Sequence, residues 1–482
     1  MTTTTARINH PAFIAGRRVE TAQSLDVRAK HTDAVFARVA LAGPAEIDRA
    51  IAAAHSARTA MASMPSDARA AAISAVRNAL APQRNELARL LALEAGKPVK
   101  AGISEIDRLL ETLDIAAAEA TRIAGDILPI THSPRTRGYT CFSRRVPVGV
   151  CSFITPFNFP LNLAAHKIGP AIAAGCPFVL KPADKTPVTT MALAEALMEA
   201  NLPDGAWSVF ACDLAHVAPL VEDERIALLS FTGSANVGWA LKARAGRKRV
   251  VLELGGNAAC IVDESANIEY AAARITAGAF GYSGQSCISA QRIYAHESIF
   301  ADLRDAITEC AGALIVGDPL DETTDIGPVI DDAAAQRIEA WIHEALDHGA
   351  ALACGGSRDG RLVEPTVLTH TREDDNIMRC EAFGPVVALS PFTDFNDALA
   401  RAGGSEFGLQ AGVFTNRLDR AFRAWNALEV GGVIVNDAST FRADAAPYGG
   451  VKKSGAGREG VVSAIEHMTE SRLLVVNTNA NT

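Results

Sequence analysis

The chain has 482 residues, 49% of them hydrophobic and 21% charged, with a formal net charge of −9. That length exceeds one ordinary core and predicts two or three domains with a large interior. An acidic balance without a Lys/Arg-rich block excludes nucleic acid and anionic membrane as natural partners, and no apolar run reaches the roughly 18 residues of a membrane-spanning helix.

Nine cysteines stand singly at 141, 151, 176, 212, 260, 287, 310, 354 and 380, with no C-x-x-C pair. Dispersed, odd-numbered thiols fit a reducing compartment better than a disulfide frame. The stretch from Met1 to Arg7 lacks the apolar core of a signal peptide. A cytoplasmic protein is expected.

In chain order, Phe13, Ile14 and Val19 predict small strands in the first forty residues. From 44 to about 123 the pattern is helical. Ile47, Ile51 and Ala54 share one face, and Leu87, Ala88, Leu90 and Leu91 continue the period until Gly96 and Pro98 stop it. This alanine-rich region predicts a helical layer over a sheet. Residues 138–150 alternate as a strand without a helix partner, as a hairpin leaving the domain would. Strands and helices then alternate, with strands at 148–154, 177–180, 207–210 and 226–231 and helices at 160–174, 189–200 and 235–245. Such a rhythm pairs apolar strands in parallel and builds a doubly wound sheet. After a strand at 250–254 it restarts, with strands at 259–262 and 292–295, a helix near 268–279, and later strands at 386–389, 411–414 and 433–435. The tail, Leu473-Leu-Val-Val, reads as an exposed strand with nothing after it to pair with, and a partner subunit is one way to cover its edge.

The stretch 278–292, G-A-F-G-Y-S-G-Q-S-C-I-S-A-Q-R, has Cys287 near its centre. Glycines at 278, 281 and 284 permit left-handed backbone and close approach of another molecule. A free cysteine is by default a small buried hydrophobe, but in this loop Cys287 is a candidate nucleophile.

Four strand ends lie where ligands bind in open α/β sheets: Ile154-Thr-Pro-Phe-Asn-Phe-Pro, Lys181-Pro-Ala-Asp, Phe231-Thr-Gly-Ser-Ala-Asn-Val-Gly and Glu253-Leu-Gly-Gly. The Gly233/Ser234 turn opens a helix and can seat a phosphate. It is neither G-x-G-x-x-G nor a P-loop, and an ordinary helix start reads the same way. Lys181 and Asp184 offer an ammonium and a carboxylate to ribose hydroxyls, or form a plain surface pair. Glu253, ending an apolar strand ahead of two glycines, is placed for desolvation, which raises a carboxyl toward a useful base; a solvated strand end is the other reading. Asn158, between two phenylalanines, suits an oxyanion donor. His343 and His348 are spaced i, i+5 and miss the i, i+4 face of a zinc-binding helix, so no metal is expected.

In this order the motifs resemble the NAD(P)-dependent aldehyde dehydrogenase superfamily. The resemblance runs through Pro156-Phe-Asn-Phe-Pro, Lys181-Pro-Ala, Phe231-Thr-Gly-Ser, Glu253-Leu-Gly-Gly, Gly284-Gln-Ser-Cys, Glu381-Ala-Phe-Gly-Pro and Pro447-Tyr-Gly-Gly-Val-Lys-Lys-Ser-Gly, nearly the whole chain. It implies an α/β fold of two doubly wound parallel-sheet domains plus a small β oligomerisation element. Residues 1–130 and 151–252 would bind the dinucleotide and 253–435 would carry catalysis. Residues 131–150 and 467–482 would mediate assembly into a dimer or tetramer, and 436–466 would return toward the cofactor domain.

The implied reaction oxidises an aldehyde to a carboxylic acid with NAD(P), through a cysteine thiohemiacetal and a thioester hydrolysed by water. Cys287 is then the nucleophile. Asn158 and the Cys287 N–H form the oxyanion hole, Glu253 is the general base, and Glu459 is a second carboxylate that relays protons. Lys181 and Asp184 match the adenine-ribose site and Gly233 and Ser234 the pyrophosphate turn. Glu381 matches the nicotinamide-ribose ligand and Phe383 the ring beside the nicotinamide. Thr155, Phe157, Val237 and Gly255 complete the cofactor set. Retention of Glu253 favours hydrolysis over transfer to coenzyme A. A coenzyme A-acylating semialdehyde dehydrogenase and a non-catalytic protein on the same fold are the alternatives. Two departures stand out: Phe157 where many members have Trp, and Asp184 where many have Glu. The shorter acid still repels a ribose 2′-phosphate, so NAD is expected, with NADP possible. The loop Asn436-Asp-Ala-Ser-Thr-Phe-Arg-Ala-Asp resembles that of lactaldehyde-, glyceraldehyde-phosphate- and succinate-semialdehyde-type members. Arg442 or Arg292 is accordingly expected to meet a polar or anionic substrate tail, with a structural salt bridge as the competing role.

Overall fold

Strands that are apolar on both faces need cover on both faces, and the Val150–Ile154 strand, buried at every position, sets the pattern of the first sheet. The structure is a computed structural model that describes residues 8–478; residues 1–7, including the N-terminal stretch read above, and 479–482 lie outside the described residues. Across the first sheet the order is Gly455–Ala456, Arg249–Glu253, Ile226–Thr232, Val150–Ile154, Phe178–Lys181, Trp207–Val209, Ala12–Ile14 and Arg17–Val19. The five central strands run parallel. From Val150–Ile154 the chain steps outward one way to Trp207–Val209, then returns to the other side at Ile226–Thr232. That reversal leaves a crevice beyond the carboxyl ends of these two neighbours, where Thr155 and Gly233 begin their loops.

The helical layer is present as expected. The Arg84–Ala95 helix ends at Gly96, whose φ of +68° is left-handed and whose missing Cβ would stand 2.7 Å from the Pro328 carbonyl oxygen. The Val99–Ala120 helix buries Ile106, Leu109, Leu113 and Ala116 at helical spacing, in one cluster with the wholly buried Pro160–Ala174 helix.

The second sheet has the order Ala351–Cys354, Thr366–Thr369, Val386–Phe392, Ala290–His296, Ala258–Val262, Gln410–Phe414 and Gly432–Val435. It is parallel except for Ala351–Cys354. The Ala258–Val262 strand divides by alternation: Ala259 and Ile261 join the cluster under the Asp332–Asp347 helix, and Cys260 and Val262 the cluster under Phe300–Gly312.

Two readings are corrected. Residues 138–150 do not form a hairpin of their own: Tyr139–Pro147 is the middle strand of a three-stranded antiparallel sheet. The tail finds its partner within the chain, since Thr469–Asn477 pairs along its whole length with Tyr139–Pro147, from Thr469 opposite Pro147 to Asn477 opposite Tyr139. It is an outer strand, with Leu473, Leu474 and Val475 exposed. Among the described residues no helix is long and apolar enough to cross a membrane, and no group of three or more His, Cys, Asp and Glu side chains is placed to hold a metal ion.

Candidate active site

The carboxyl ends of the first sheet and the loop preceding Ala290–His296 face one cavity of about 680 Å³. Cys287 reaches it through a strained turn. Tyr282, Ser283 and Gly284 follow one another at φ of +52°, +56° and +68°, all left-handed, which costs roughly 1–3 kcal/mol for each residue with a side chain. Surrounding contacts fix it. Tyr282 donates to the Ala95 carbonyl at 3.2 Å, Ser283 donates to the Gly327 carbonyl at 2.8 Å, and the Gln285 side-chain oxygen accepts from the Ile330 N–H at 2.9 Å. At Gly284 a Cβ would lie 2.1 Å from the Gly384 carbonyl oxygen, so only glycine fits.

The turn brings Cys287 Sγ to 2.9 Å from the Tyr448 hydroxyl. Burial pushes the thiol up to about 12, with the Tyr448 hydrogen bond and the Arg442 charge pulling it back. Asn158 sits 4% exposed between its strand and the Pro160–Ala174 helix. Its Nδ2 donates to the Gln285 carbonyl at 3.1 Å, and its Oδ1 accepts from the Phe159 N–H at 3.1 Å. The amide thereby faces the cysteine loop with its donors, and one of its two N–H groups is still available.

Glu253 is 3% exposed, and neither carboxylate oxygen has a hydrogen-bond partner. Burial, reinforced by the negative charge of Glu459, raises its pKa well above the carboxylate range. Glu459 is driven the other way. Burial opposes its ionisation, but the Lys167 ammonium, donating to Oε1 at 2.7 Å, and the Arg442 guanidinium, 3.5 Å from Oε2, hold it well below the usual value. The environment thus separates two neighbouring acids into a proton holder and an anion.

Arg442 lines the cavity, its guanidinium 3.9 Å above the Tyr448 ring. It lies 3.2 Å from the Asp444 carboxylate and 3.2 Å from His166 Nε2. Arg108 also lines the cavity and bonds Asp444 in fork geometry, at 2.6 and 3.1 Å. Arg108, Arg442 and Lys167 against Asp444 and Glu459 leave one positive charge in excess at this end. Arg292 does not join them. Its guanidinium, 3% exposed, donates to the carbonyls of Asn257, Arg401 and Ala402. Its strand points it at the carboxyl end of the Phe395–Gly403 helix, where unpaired carbonyls attract a cation; the substrate role expected for it is withdrawn.

On the opposite side, Lys181 Nζ donates to the Pro182 carbonyl at 3.0 Å and to the Asp184 carboxylate. Gly233 and Ser234 precede the Ala235–Arg244 helix, and the Ser234 side chain makes no cap bond, which leaves first-turn N–H groups to another acceptor. Glu381 accepts from the Gly256 N–H at 2.9 Å, and burial pushes its carboxyl up to about 7. Gly255 faces the same carboxylate, and a Cβ there would lie 2.1 Å from Oε2. Phe383, at a left-handed φ of +48°, packs edge-on to Phe157 with ring centres 5.6 Å apart. Thr155 lines the cavity with its hydroxyl buried and unpartnered. Val237 lies elsewhere, half exposed on the Ala235–Arg244 helix and outside the cavity wall.

Sequence reasoning missed Tyr448, Lys167 and Arg108 as site residues. Tyr448 stood unassigned inside a quoted motif. Lys167, a lysine in an otherwise apolar helix, was a legible signal for a buried partner. Arg108 carried none, because its partner Asp444 is 336 residues away.

The aldehyde dehydrogenase family model matches residues 18–474. The chain is 41% identical over 479 residues to 3-sulfolactaldehyde dehydrogenase of Priestia aryabhattai, covering 99% of this chain and 100% of the relative. It superposes with a TM-score of 0.97 on aldehyde dehydrogenase 21 of Physcomitrella patens in complex with the reaction product succinate, at 41% identity and covering 99% of this chain and 100% of that one. With glyceraldehyde-3-phosphate dehydrogenase of Methanocaldococcus jannaschii, complexed with NADP, the TM-score is 0.91 at 34% identity, covering 95% of this chain and 100% of that one. By sequence, fold and the match along nearly its whole length, this chain belongs to the aldehyde dehydrogenase family and oxidises an aldehyde to a carboxylic acid with NAD or NADP as acceptor.

Proposed function

We propose that Cys287 is the nucleophile, that Asn158 and the Cys287 N–H bind the oxyanion, that Glu253 is the base for hydrolysis, and that the substrate is a short aldehyde with an anionic tail. The supporting observation is the convergence on one cavity of a thiol, an amide donor and a carboxylate without a partner of its own.

Cys287 attacks as the thiolate, its proton having passed to solvent, and its sulfur bonds the aldehyde carbon while the carbonyl electron pair moves to oxygen. The Asn158 amide and the Cys287 N–H are fixed donors for that oxyanion. When the oxyanion collapses to a thioester, a hydride leaves the same carbon; nicotinamide, when bound, supplies the acceptor. Glu253 then takes a proton from water, the resulting hydroxide attacks the thioester, and the carbon–sulfur bond breaks to release the acid. Glu459, joined through Lys167 to Ser230, continues the proton path. A free Glu253 carboxylate supports this route over transfer to coenzyme A.

The residues on the other side fit a dinucleotide. Thr155 offers an unsatisfied hydroxyl, the Gly233/Ser234 turn an open helix N-terminus, Glu381 a ribose acceptor and Phe383 a ring wall. Asp184 beside Lys181 supports NAD over NADP, because its charge opposes a 2′-phosphate. Arg108 and Arg442 support an anionic tail, and two relatives are named for a sulfonated aldehyde or were solved with a dicarboxylate. The same reading gives 1–130 and 151–252 to cofactor binding and 253–435 to catalysis. Residues 131–150 and 467–482 go to self-association as a dimer or tetramer, and 436–466 returns to the cofactor side.

An aldehyde panel with both cofactors, read as NADH or NADPH production, tests the reading. The highest kcat/KM is expected with NAD and a short anionic aldehyde, and none with Cys287→Ser. Product formation by Cys287→Ser would sink the mechanism, and a kcat/KM for NADP at or above that for NAD would reverse the cofactor choice.

A further inference from the structure

Lys97 lies between the Arg84–Ala95 and Val99–Ala120 helices and is fully buried, as is Glu105 eight residues on. The ammonium bonds the Glu105 carboxylate and stands 3.8 Å from the centre of the Phe159 ring and 4.2 Å from that of Tyr282. The two rings meet edge to face with centres 5.8 Å apart. Phe159 follows Asn158 directly, and Tyr282 opens the left-handed turn before Cys287. The second Glu105 oxygen accepts from the Leu161 and Asn162 N–H groups at 3.0 and 3.2 Å, the first turn of the helix that Asn158 precedes. Tyr282 donates back to the Ala95 carbonyl, two residues before Lys97. A closed circuit of contacts joins the amide arm of the site to the thiol arm.

The pair is costly for the fold to keep. Burial drives the Lys97 ammonium toward losing its proton, and buried ion pairs contribute little net stability, since replacing both partners by apolar groups is often neutral. The two aromatic faces and the carboxylate retain the cation. What the pair fixes is a spacing, the one bridged at 3.1 Å by Asn158 Nδ2 and the Gln285 carbonyl.

We propose that Lys97 and Glu105 are positioning residues that hold the Asn158 turn and the Cys287 loop in register, so that the amide meets the oxyanion as it forms. This rests on the roles given above to Asn158 and Cys287. Misplacement of such groups by about an ångström slows a reaction without unfolding the protein.

The test is Lys97→Met/Glu105→Gln in the full chain, chosen because Met matches the lysine stem and Gln keeps an acceptor for the helix N–H groups. The single-turnover burst of NADH is expected to slow by roughly tenfold or more, while burst amplitude per chain, KM for NAD and Tm stay at their parent values. A burst rate within about twofold of the parent overturns the proposal. So does a slowing matched by lost amplitude, which marks a misfolded fraction. If the double variant does not fold, Phe159→Leu removes one ring from the ammonium, leaves both charges, and is judged by the same two outcomes. Cys287→Ser and Asn158→Ala run alongside. If either keeps the full burst, the reading of the site has failed; if both lose it and the clamp variant does not, the clamp alone has failed.

Discussion

At the scale of single residues, Glu253 sets the expected pH dependence. Burial and the neighbouring Glu459 anion favour its neutral form, so the base appears only as pH rises through a value well above the ordinary 4.5. Turnover is therefore expected to climb along an acid limb displaced upward. Glu253→Gln should abolish that limb and slow turnover by roughly 10²–10⁴-fold while an initial NADH burst persists, because acylation precedes hydrolysis. Turnover at the parent rate would remove Glu253 from the mechanism. The stability sign is the same: the folded chain holds a proton that the unfolded chain releases above 4.5, so this group stabilises at low pH and the benefit fades as pH rises through the folded value. Arg108 sets a second expectation. Arg108→Met leaves Asp444 with Arg442 and His166, and should raise KM for an anionic aldehyde roughly tenfold to hundredfold, the worth of one charge-assisted bond. KM for an uncharged aldehyde of equal length should hold. Equal losses with both would mean that Arg108 only steadies Asp444. The meeting of Cys287, Asn158 and Glu253 in one cavity was legible because each stands in a short local motif. The partners that tune them were not, since Lys167 meets Glu459 across 292 residues and only the fold supplies that proximity.

Among elements, strands buried on both faces announced themselves as unbroken apolar runs. The Leu418–Ala427 helix did not, because it buries only a narrow stripe among charged residues. Arg292 shows the limit of reading an element by residue type: strand geometry, not charge, decided that it would meet helix carbonyls instead of substrate. Turns make sharper expectations. At the end of the Arg249–Glu253 strand, Gly255 admits the Glu381 carboxylate and Gly256 the Cys287 carbonyl, where an added Cβ would lie 2.4 Å away. Gly255→Ala must displace Glu381 and is expected to raise KM for NAD roughly tenfold, the equivalent of about 1.4 kcal/mol, with an unchanged far-UV circular dichroism spectrum. An unaltered KM would show that Glu381 does not meet the cofactor from this turn.

For the whole molecule, the two parallel sheets were legible from the restart of the strand–helix rhythm, whereas the closure of the tail on Tyr139–Pro147 was not. Antiparallel partners so far apart leave no local trace, and an exposed strand reads the same whichever chain completes it. Both faces of that strand still call for cover: Leu473 and Val475 on one, and Leu474 on the other, are each more than half exposed, at 57, 51 and 60%. Leu474→Lys should cost an isolated chain no more than about 0.5 kcal/mol, yet lower the mass measured by light scattering from that of an assembly toward that of one chain. A parent protein already of single-chain mass would end the self-association reading.

The pairing of Thr469–Asn477 with Tyr139–Pro147 also orders events in time. Tyr448, Glu459, Arg442 and Asp444 all lie within 442–459, ahead of the Thr469–Asn477 strand, and they complete a site whose other residues come from 97–383. During synthesis, at roughly 5–20 residues per second, Cys287 and its loop leave the ribosome well before the residues that flank them in the folded protein. A nascent or prematurely ended chain therefore holds the thiol without its tyrosine, its arginine or its second acid. On the proposed roles, chemical competence arrives only once residues 442–477 have been made, and the codons for that segment decide whether everything translated before them can work.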